Sequence, residues 1–254
     1  MEKIAPPPPS LNPKISPEDR LLFICARQRP APEHRRMALA LRQNHPLNWE
    51  AIFTTASRHG VAPLIYAAIR HIGPDALAVP DAVTAEFKRA YYSNIIRKER
   101  RAERLARGLA FFNERGIEVM LIKGGALDVL VYDRPWYTVP HDIDLVLKLK
   151  PEELPPATEA EIRHFFHKTG IEFDYFAHHD VTMNGVLPVD FGQIWDRAVK
   201  ITLHGQPVWV MAPEDMLLAA CINGCRKRFF RLKSLCDTAE IINKYPGLNW
   251  DRFI

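Results

Sequence analysis

The sequence predicts an α+β fold, a small mixed β-sheet core flanked by N-terminal and C-terminal helical regions. Three observations carry this. Apolar residues at Phe87, Tyr91, Ile95, Ala102, Leu105, Leu109 and Phe112 recur at spacings of three, four or seven, the stripe of one long helix from Val83 to about Asn113. Short runs of branched apolar residues then cluster between Gly116 and Met211, as strands do. Helix-start signals recur on both sides of that cluster. The expected division is a Pro-rich tail over 1–17, a helical region over 18–115, a core over 116–211 and a helical region over 212–254, the last expected to lack a further helical part.

In chain order, Pro6 to Pro9 disfavour a helix in the tail. Ser16-Pro17-Glu18-Asp19 combines a capping serine, a first-turn proline and acids, so a helix starts there. Asn48 before Trp49 and Glu50 caps another, which stops near His59-Gly60. Ala62 to Ile72 is a third, ended by Gly73-Pro74, and the long helix follows. Ile117 to Ile122 is the first strand, Ala126 to Tyr132 a short helix, and the run from His141 to Leu147 a strand after Pro140. A helix is expected from Pro151 to His167, broken at Gly170. Strands are expected over Ile171–His178, with Asp180–Asn184 as a hairpin continuation, over Val186–Phe191 and over Gln206–Met211. Helices from Ala212 to about Cys225 and from Leu232 to Lys244 close the chain.

The chain has 254 residues, 47% apolar and 25% charged, ordinary values for a globular protein. No apolar run reaches the ~18 residues of a membrane span, and the N-terminus has no apolar signal core. The expected location is the cytoplasm. Cys25, Cys221, Cys225 and Cys236 are too few and scattered for a disulfide framework and read as buried thiols. Net charge is +4 but uneven: residues 1–115 hold 19 Lys and Arg against 11 Asp and Glu, the remainder 15 against 19. Much of the excess lies on the long helix, where Arg97, Lys98, Arg100, Arg101, Arg104 and Arg107 make residues 97–107 a candidate nucleic-acid surface, set against a solvated helix with Glu99 and Glu103 pairing locally.

The stretch from Val119 to Lys148 carries the chemistry. Side chains alternate along a strand, so Asp142 and Asp144 share a face while Ile143 and Leu145 point to a core. Two adjacent carboxylates repel unless a cation sits between them. Hard cations such as Mg²⁺ take carboxylate oxygens and keep positions for substrate phosphates. Upstream, Lys123-Gly124-Gly125 lets the backbone approach a ligand, and the helix start after it offers free N–H groups to an anion. An anion cradle and a paired-acid cation site within about 20 residues point to a nucleoside triphosphate.

These residues resemble the DNA polymerase β-like nucleotidyltransferase superfamily, with its glycine turn followed by Asp-x-Asp on a strand. More narrowly, Lys123-Gly124, Leu127, Tyr132 and Asp142-Ile143-Asp144-Leu145 match in order the bacterial branch of uncharacterised nucleotidyltransferases. The resemblance implies transfer of NMP from an NTP such as ATP to an acceptor hydroxyl, with release of pyrophosphate and with Mg²⁺ or Mn²⁺ in a two-metal site. Asp142 and Asp144 would be catalytic and metal-binding, with a third carboxylate from Asp190, or Asp174 as runner-up. Lys123, Gly124 and Gly125 would cradle phosphates, and the cluster of Asn223, Arg226, Lys227, Arg231 and Lys233 would bind triphosphate or acceptor, set against a solvated or salt-bridged helix turn. Asp237, amid apolar neighbours, is expected to pair with an Arg.

The sequence departs from that branch at Thr138, where an Arg is usual and for which Arg134 is a candidate replacement, and at Gly192, where a His is frequent. His141 reads as a structural strand-edge residue before a proton relay. Two other classes stay open: a catalytically silent nucleotide- or RNA-binding module, and a toxin-like transferase acting on tRNA. The acceptor (protein, peptide, tRNA or small molecule) is not written in the sequence.

Overall fold

The structure, a computed structural model, describes residues 15–139, 142–149, 153–169, 173–174 and 189–253. Five helices come first: α1 (Pro17–Cys25), α2 (Pro32–Asn44), α3 (Trp49–Arg58), α4 (Ala62–Ile72) and α5 (Pro74–Leu77). The caps are those the sequence calls for. Ser16 accepts from the Asp19 N–H at 3.1 Å, and Asn48 from the Ala51 N–H at 3.0 Å. Of the five, α2 and α5 were not anticipated.

The long helix α6 (Asp81–Glu114) has 34 residues, about 50 Å at 1.5 Å per residue. Its stripe is the expected one. Phe87, Leu105, Leu109 and Phe112 are buried, and Tyr91, Ile95 and Ala102 half-buried. The two ends of the helix serve different cores. Val83 and Phe87 pack with α1, α3 and α4, whereas Leu105 to Phe112 pack under the sheet with Phe166.

Strands β1 (Val119–Leu121), β2 (Ile143–Leu147), β3 (Phe173–Asp174), β4 (Val199–Leu203) and β5 (Gln206–Val210) form one mixed sheet in the order β3-β2-β1-β5-β4. β1 is antiparallel to β2 and parallel to β5, and β2 is parallel to β3. Both faces are covered, so β2 is buried throughout. Ile143, Leu145 and Leu147 join the core that holds the end of α6 and helix α8 (Pro156–Thr169). Val146, one pleat over, joins the larger core with the N-terminal helices. Between β1 and β2 lies α7 (Lys123–Leu130). After β3 come α9 (Phe191–Arg197), the β4–β5 hairpin, α10 (Pro213–Arg226) and α11 (Leu232–Lys244).

Several boundaries differ from expectation. α7 starts three residues early, at Lys123, and α8 starts at Pro156 rather than Pro151. The expected strand over Val186–Phe191 is not seen where it is described: Val189 and Asp190 are in no strand, and Phe191 is the first residue of α9, which Asp190 caps. Residues 186–188, most of the Ile171–His178 strand and the Asp180–Asn184 hairpin lie outside the described residues. Strand β4 was missed. Its turn to β5 carries positive φ at both His204 (51°) and Gly205 (76°), the two-residue type I′ connection that suits strand twist. Among the described residues, no helix is long and apolar enough to cross a membrane.

Candidate active site

The strand-to-helix turn at Lys123 is the pivot of the site. Lys123 sits at φ 52°, a left-handed conformation uncommon for a residue with a Cβ and typical of functional turns. Its Nζ donates to Asp144 Oδ1 at 2.7 Å, and both side chains are largely buried. The two glycines that follow do different work. A Cβ on Gly124 would meet nothing within 4 Å, so the backbone there opens onto a cavity. A Cβ on Gly125 would lie 2.8 Å from Leu121 Cδ1, so this glycine allows α7 to pack on β1 and does not line the cavity.

The cavity measures about 500 Å³, within the range of small-molecule sites. Asp142 and Asp144 both line it, as strand alternation requires. Asp142 is exposed and Asp144 buried. Lys98 and Arg101 of α6, Lys123, and Lys227, Arg231 and Lys233 from the α10–α11 end add six cationic side chains. Burial lowers the Arg101 guanidinium, while the charges of Asp128, Asp144 and Asp142 pull it the other way.

Two ion-paired groups form part of the lining. Lys98 Nζ pairs with Asp128 Oδ2 and donates to Thr138 Oγ1 at 2.9 Å; Thr138 Oγ1 donates to Asp128 Oδ1 at 2.6 Å. Burial pushes the Lys98 ammonium down to about 8 and raises the Asp128 carboxyl, each partly restrained by the other. Asn94, fully buried on α6, donates through Nδ2 to the carbonyls of Trp136 (2.6 Å) and Thr138 (2.8 Å). The loop before Asp142 is thereby tied to α6. The second group is Lys233–Asp237 at 2.5 Å, with the Tyr132 hydroxyl donating to Asp237 Oδ1 at 2.8 Å. Burial alone lowers Lys233, and the charge and hydrogen bond of Asp237 outweigh it, so its value is raised. Asp237 therefore pairs with a lysine rather than the expected arginine.

The sequence-derived residues divide. Lys123, Gly124, Asp142, Asp144, Arg231 and Lys233 share the cavity; Gly125, Arg226 and Asp190 are not among its lining residues. Asp190 is an exposed helix cap, accepting from the N–H of Gly192 at 2.8 Å and of Gln193 at 3.4 Å, with Gln193 Nε2 on its other oxygen at 3.2 Å. A Cβ on Gly192 would stand 3.1 Å from Asp190 Oδ1, a tight contact that a small shift of that carboxylate would relieve. The runner-up acid, Asp174, is register partner of Asp144 across the β2–β3 pair. At the Thr138 departure the neighbouring cation is Lys98, not Arg134, which lies over the Trp136 ring at 5.7 Å. Residues the sequence reading did not assign to the site are Lys98, Arg101, Asp128 and Thr138; Asn223 and Lys227, part of the expected basic cluster, also line the cavity. Lys98 and Arg101 had a signal, as the basic side chains of a helix that also carries an apolar stripe. His141 lies outside the described residues. Of the cysteines, Cys25 and Cys236 are buried, Cys221 is half-buried and Cys225 exposed.

Asp142 and Asp144 supply hard oxygen donors on one cavity, and the Lys123 ammonium donates to Asp144 there. The pair fits a divalent cation that keeps its other positions for phosphate oxygens and water. Among the described residues no three His, Cys, Asp or Glu side chains converge to hold a metal by themselves.

A glycine turn opening a helix, the two acids Asp142 and Asp144 and a set of cationic side chains meet at one cavity. The sequence pattern of the family described as uncharacterised nucleotidyltransferase matches residues 45–254, and the chain belongs to that family. No curated protein matches it. One similar solved structure is an antigenic nucleotidyltransferase-like protein from Paracoccidioides brasiliensis, 16% identical, covering 56% of this chain and 73% of its own, with a TM-score of 0.41.

Proposed function

We propose that the protein transfers a nucleoside monophosphate from an NTP to an acceptor hydroxyl and releases pyrophosphate. The observation that supports this best is the convergence of Lys123, Gly124, Asp142 and Asp144 on one cavity. Asp142 and Asp144 would hold Mg²⁺ or Mn²⁺. Bound there, the cation supplies charge neutralisation on the phosphates and on the attacking oxygen. Lys123 serves Asp144 until substrate arrives and then turns to the phosphates. The Gly124 backbone lets the chain approach them, and Arg231, Lys233 and Lys227 meet charge at the far end of the triphosphate. The acceptor oxygen bonds to the α-phosphorus, the bond to the β-phosphate oxygen breaks, and the hydroxyl proton passes to a carboxylate of the site. Asp190 and Asp174 are the two candidates for a third carboxylate.

The test is transfer of α-labelled phosphate from each NTP, with Mg²⁺, to components of a cell extract. Label on an acceptor together with pyrophosphate release supports the reading. Absence of both in the wild-type chain, with NTP still bound, favours the silent binding module.

A second reading concerns the acceptor. At about 100° per residue, Arg97, Arg100, Arg101, Arg104 and Arg107 fall within an arc of roughly 120° on α6, and Glu99 and Glu103 fall outside it. Arg97, Arg100, Arg104 and Arg107 are exposed, and Arg101 lines the cavity. This arrangement favours a nucleic-acid acceptor laid along the helix with its terminal hydroxyl in the site. Binding of single-stranded RNA that weakens steeply with salt, and is lost in a quadruple Arg→Glu variant at the four exposed positions, is the expected result. Salt-independent binding, or binding unchanged in the variant, contradicts it.

A further inference from the structure

The cavity carries one group that phosphates and cations leave unused. Phe230 is the sole aromatic side chain among the described residues that line it, and it is 67% exposed. Arg228 and Phe229, just before it, both have positive φ (51° and 47°), two successive left-handed residues with side chains. The Phe229 ring folds back over α10, where a Cβ on Gly224 would lie 2.2 Å from it, and the Phe229 N–H donates to the Gly224 carbonyl at 2.7 Å. The Phe230 N–H donates to the Lys227 carbonyl at 3.0 Å. Phe229 is thus turned inward and Phe230 outward.

His59, at the end of α3, fixes the turn from the other side. Its ring lies 6.0 Å from the Phe230 ring, tilted by 37°. Its Nδ1 accepts from the Leu232 N–H at 3.2 Å, and its carbonyl from the Lys233 N–H at 3.3 Å. On either side of Phe230 in sequence stand Lys227 and Arg231, which line the same cavity; Met211, Met216, Ala219 and Ala220 add apolar lining from the end of β5 and from α10.

We propose that Phe230 is the platform on which the nucleobase of the bound nucleotide stacks, so that the site takes purine nucleotides ahead of pyrimidine ones. The inference rests on the nucleotidyl-transfer reading, which puts the triphosphate at Lys123, Gly124 and the two aspartates. The base of that nucleotide needs an apolar or aromatic surface within the same cavity. Phe230 supplies it, largely exposed and beside cations for the phosphates. Stacking tolerates every base because each has a π-face, and it grows with ring area, which favours purines.

The experiment measures binding of ATP, UTP and inorganic tripolyphosphate, each with Mg²⁺, to the wild-type chain, Phe230→Ala and Phe230→Trp by calorimetry. Wild type binds ATP more tightly than UTP and more tightly than tripolyphosphate. Phe230→Ala weakens ATP by about tenfold or more, narrows the ATP–UTP difference and leaves tripolyphosphate unchanged; Phe230→Trp keeps ATP binding. Equal ATP affinity in wild type and Phe230→Ala, or wild type binding tripolyphosphate as tightly as ATP, overturns the stacking role while leaving the transferase reading intact. Failure of wild type to bind any of the three overturns the transferase reading and this inference with it.

Discussion

Lys123 Nζ, at the turn that joins β1 to α7, stands 2.7 Å from Asp144 Oδ1 on β2. Under the proposed function the pair would couple the phosphates to the metal, one ammonium serving the carboxylate before substrate binds and the phosphates afterwards. Lys123→Ala removes an ammonium from a nearly buried carboxylate and is expected to cost about 2 kcal/mol in denaturant unfolding. Added Mg²⁺ recovers part of that loss in the variant, more than it stabilises wild type. Equal Mg²⁺ stabilisation of the two proteins contradicts the shared-carboxylate account.

The Lys98–Asp128–Thr138 group ties α6, α7 and the loop before Asp142 into one unit. Asp128→Ala strands a buried ammonium and is expected to destabilise the fold by about 3–5 kcal/mol. Thr138→Val removes one hydroxyl of similar shape and costs less, about 1–3 kcal/mol. Urea unfolding of the two variants gives the order directly. Thr138→Val as damaging as Asp128→Ala would place the weight on the loop rather than on the ion pair.

His59 gives the α10–α11 turn a pH dependence. Burial first, then the neighbouring Arg58 and Arg231, hold its imidazole below the ordinary histidine value, against the opposing pull of Asp19 and a hydrogen bond with the Phe230 backbone. As pH falls, the unfolded chain takes up this proton before the folded one. The stability contributed is therefore full above about pH 6.5 and is lost as pH falls through the lower folded value. Melting temperature followed from pH 7.5 to 5 is expected to drop less steeply in His59→Gln than in wild type. Parallel curves contradict the assignment.

Asp190 caps α9, and asparagine caps as well as aspartate. Asp190→Asn is expected to melt with wild type, and Asp190→Ala to lose about 1 kcal/mol. The Asn variant also separates capping from chemistry. Lost transfer with unchanged melting assigns the charge to the reaction, whereas retained transfer leaves Asp174, the register partner of Asp144, as the candidate to vary next.

How much of this the sequence disclosed depends on the range of the interactions involved. Ser16, Asn48 and the stripe on α6 act within a turn or two of helix, and the structure keeps them in place. The Asp142/Asp144 alternation is likewise local, and both acids reach the cavity. Gly125 looked like part of the phosphate turn because two adjacent glycines read alike; only the packing of α7 on Leu121 separates them. Lys98 and Thr138 are 40 residues apart and meet through the tertiary fold, so no spacing rule pairs them. Asp190 drew attention as an acid among apolar residues, yet the same local pattern suits a helix cap. The β4–β5 hairpin was legible in principle, since His204-Gly205 joins two alternating runs, but a histidine at the first turn position is a weaker signal than asparagine.

The most direct measurement of the central claim is α-phosphate transfer, with pyrophosphate release, by wild type and Asp144→Asn in parallel, melting temperature serving as the control for folding. The account expects wild type to transfer label in the presence of Mg²⁺ and Asp144→Asn to fall by on the order of a hundredfold or more while remaining folded. Transfer by Asp144→Asn at the wild-type rate would contradict it.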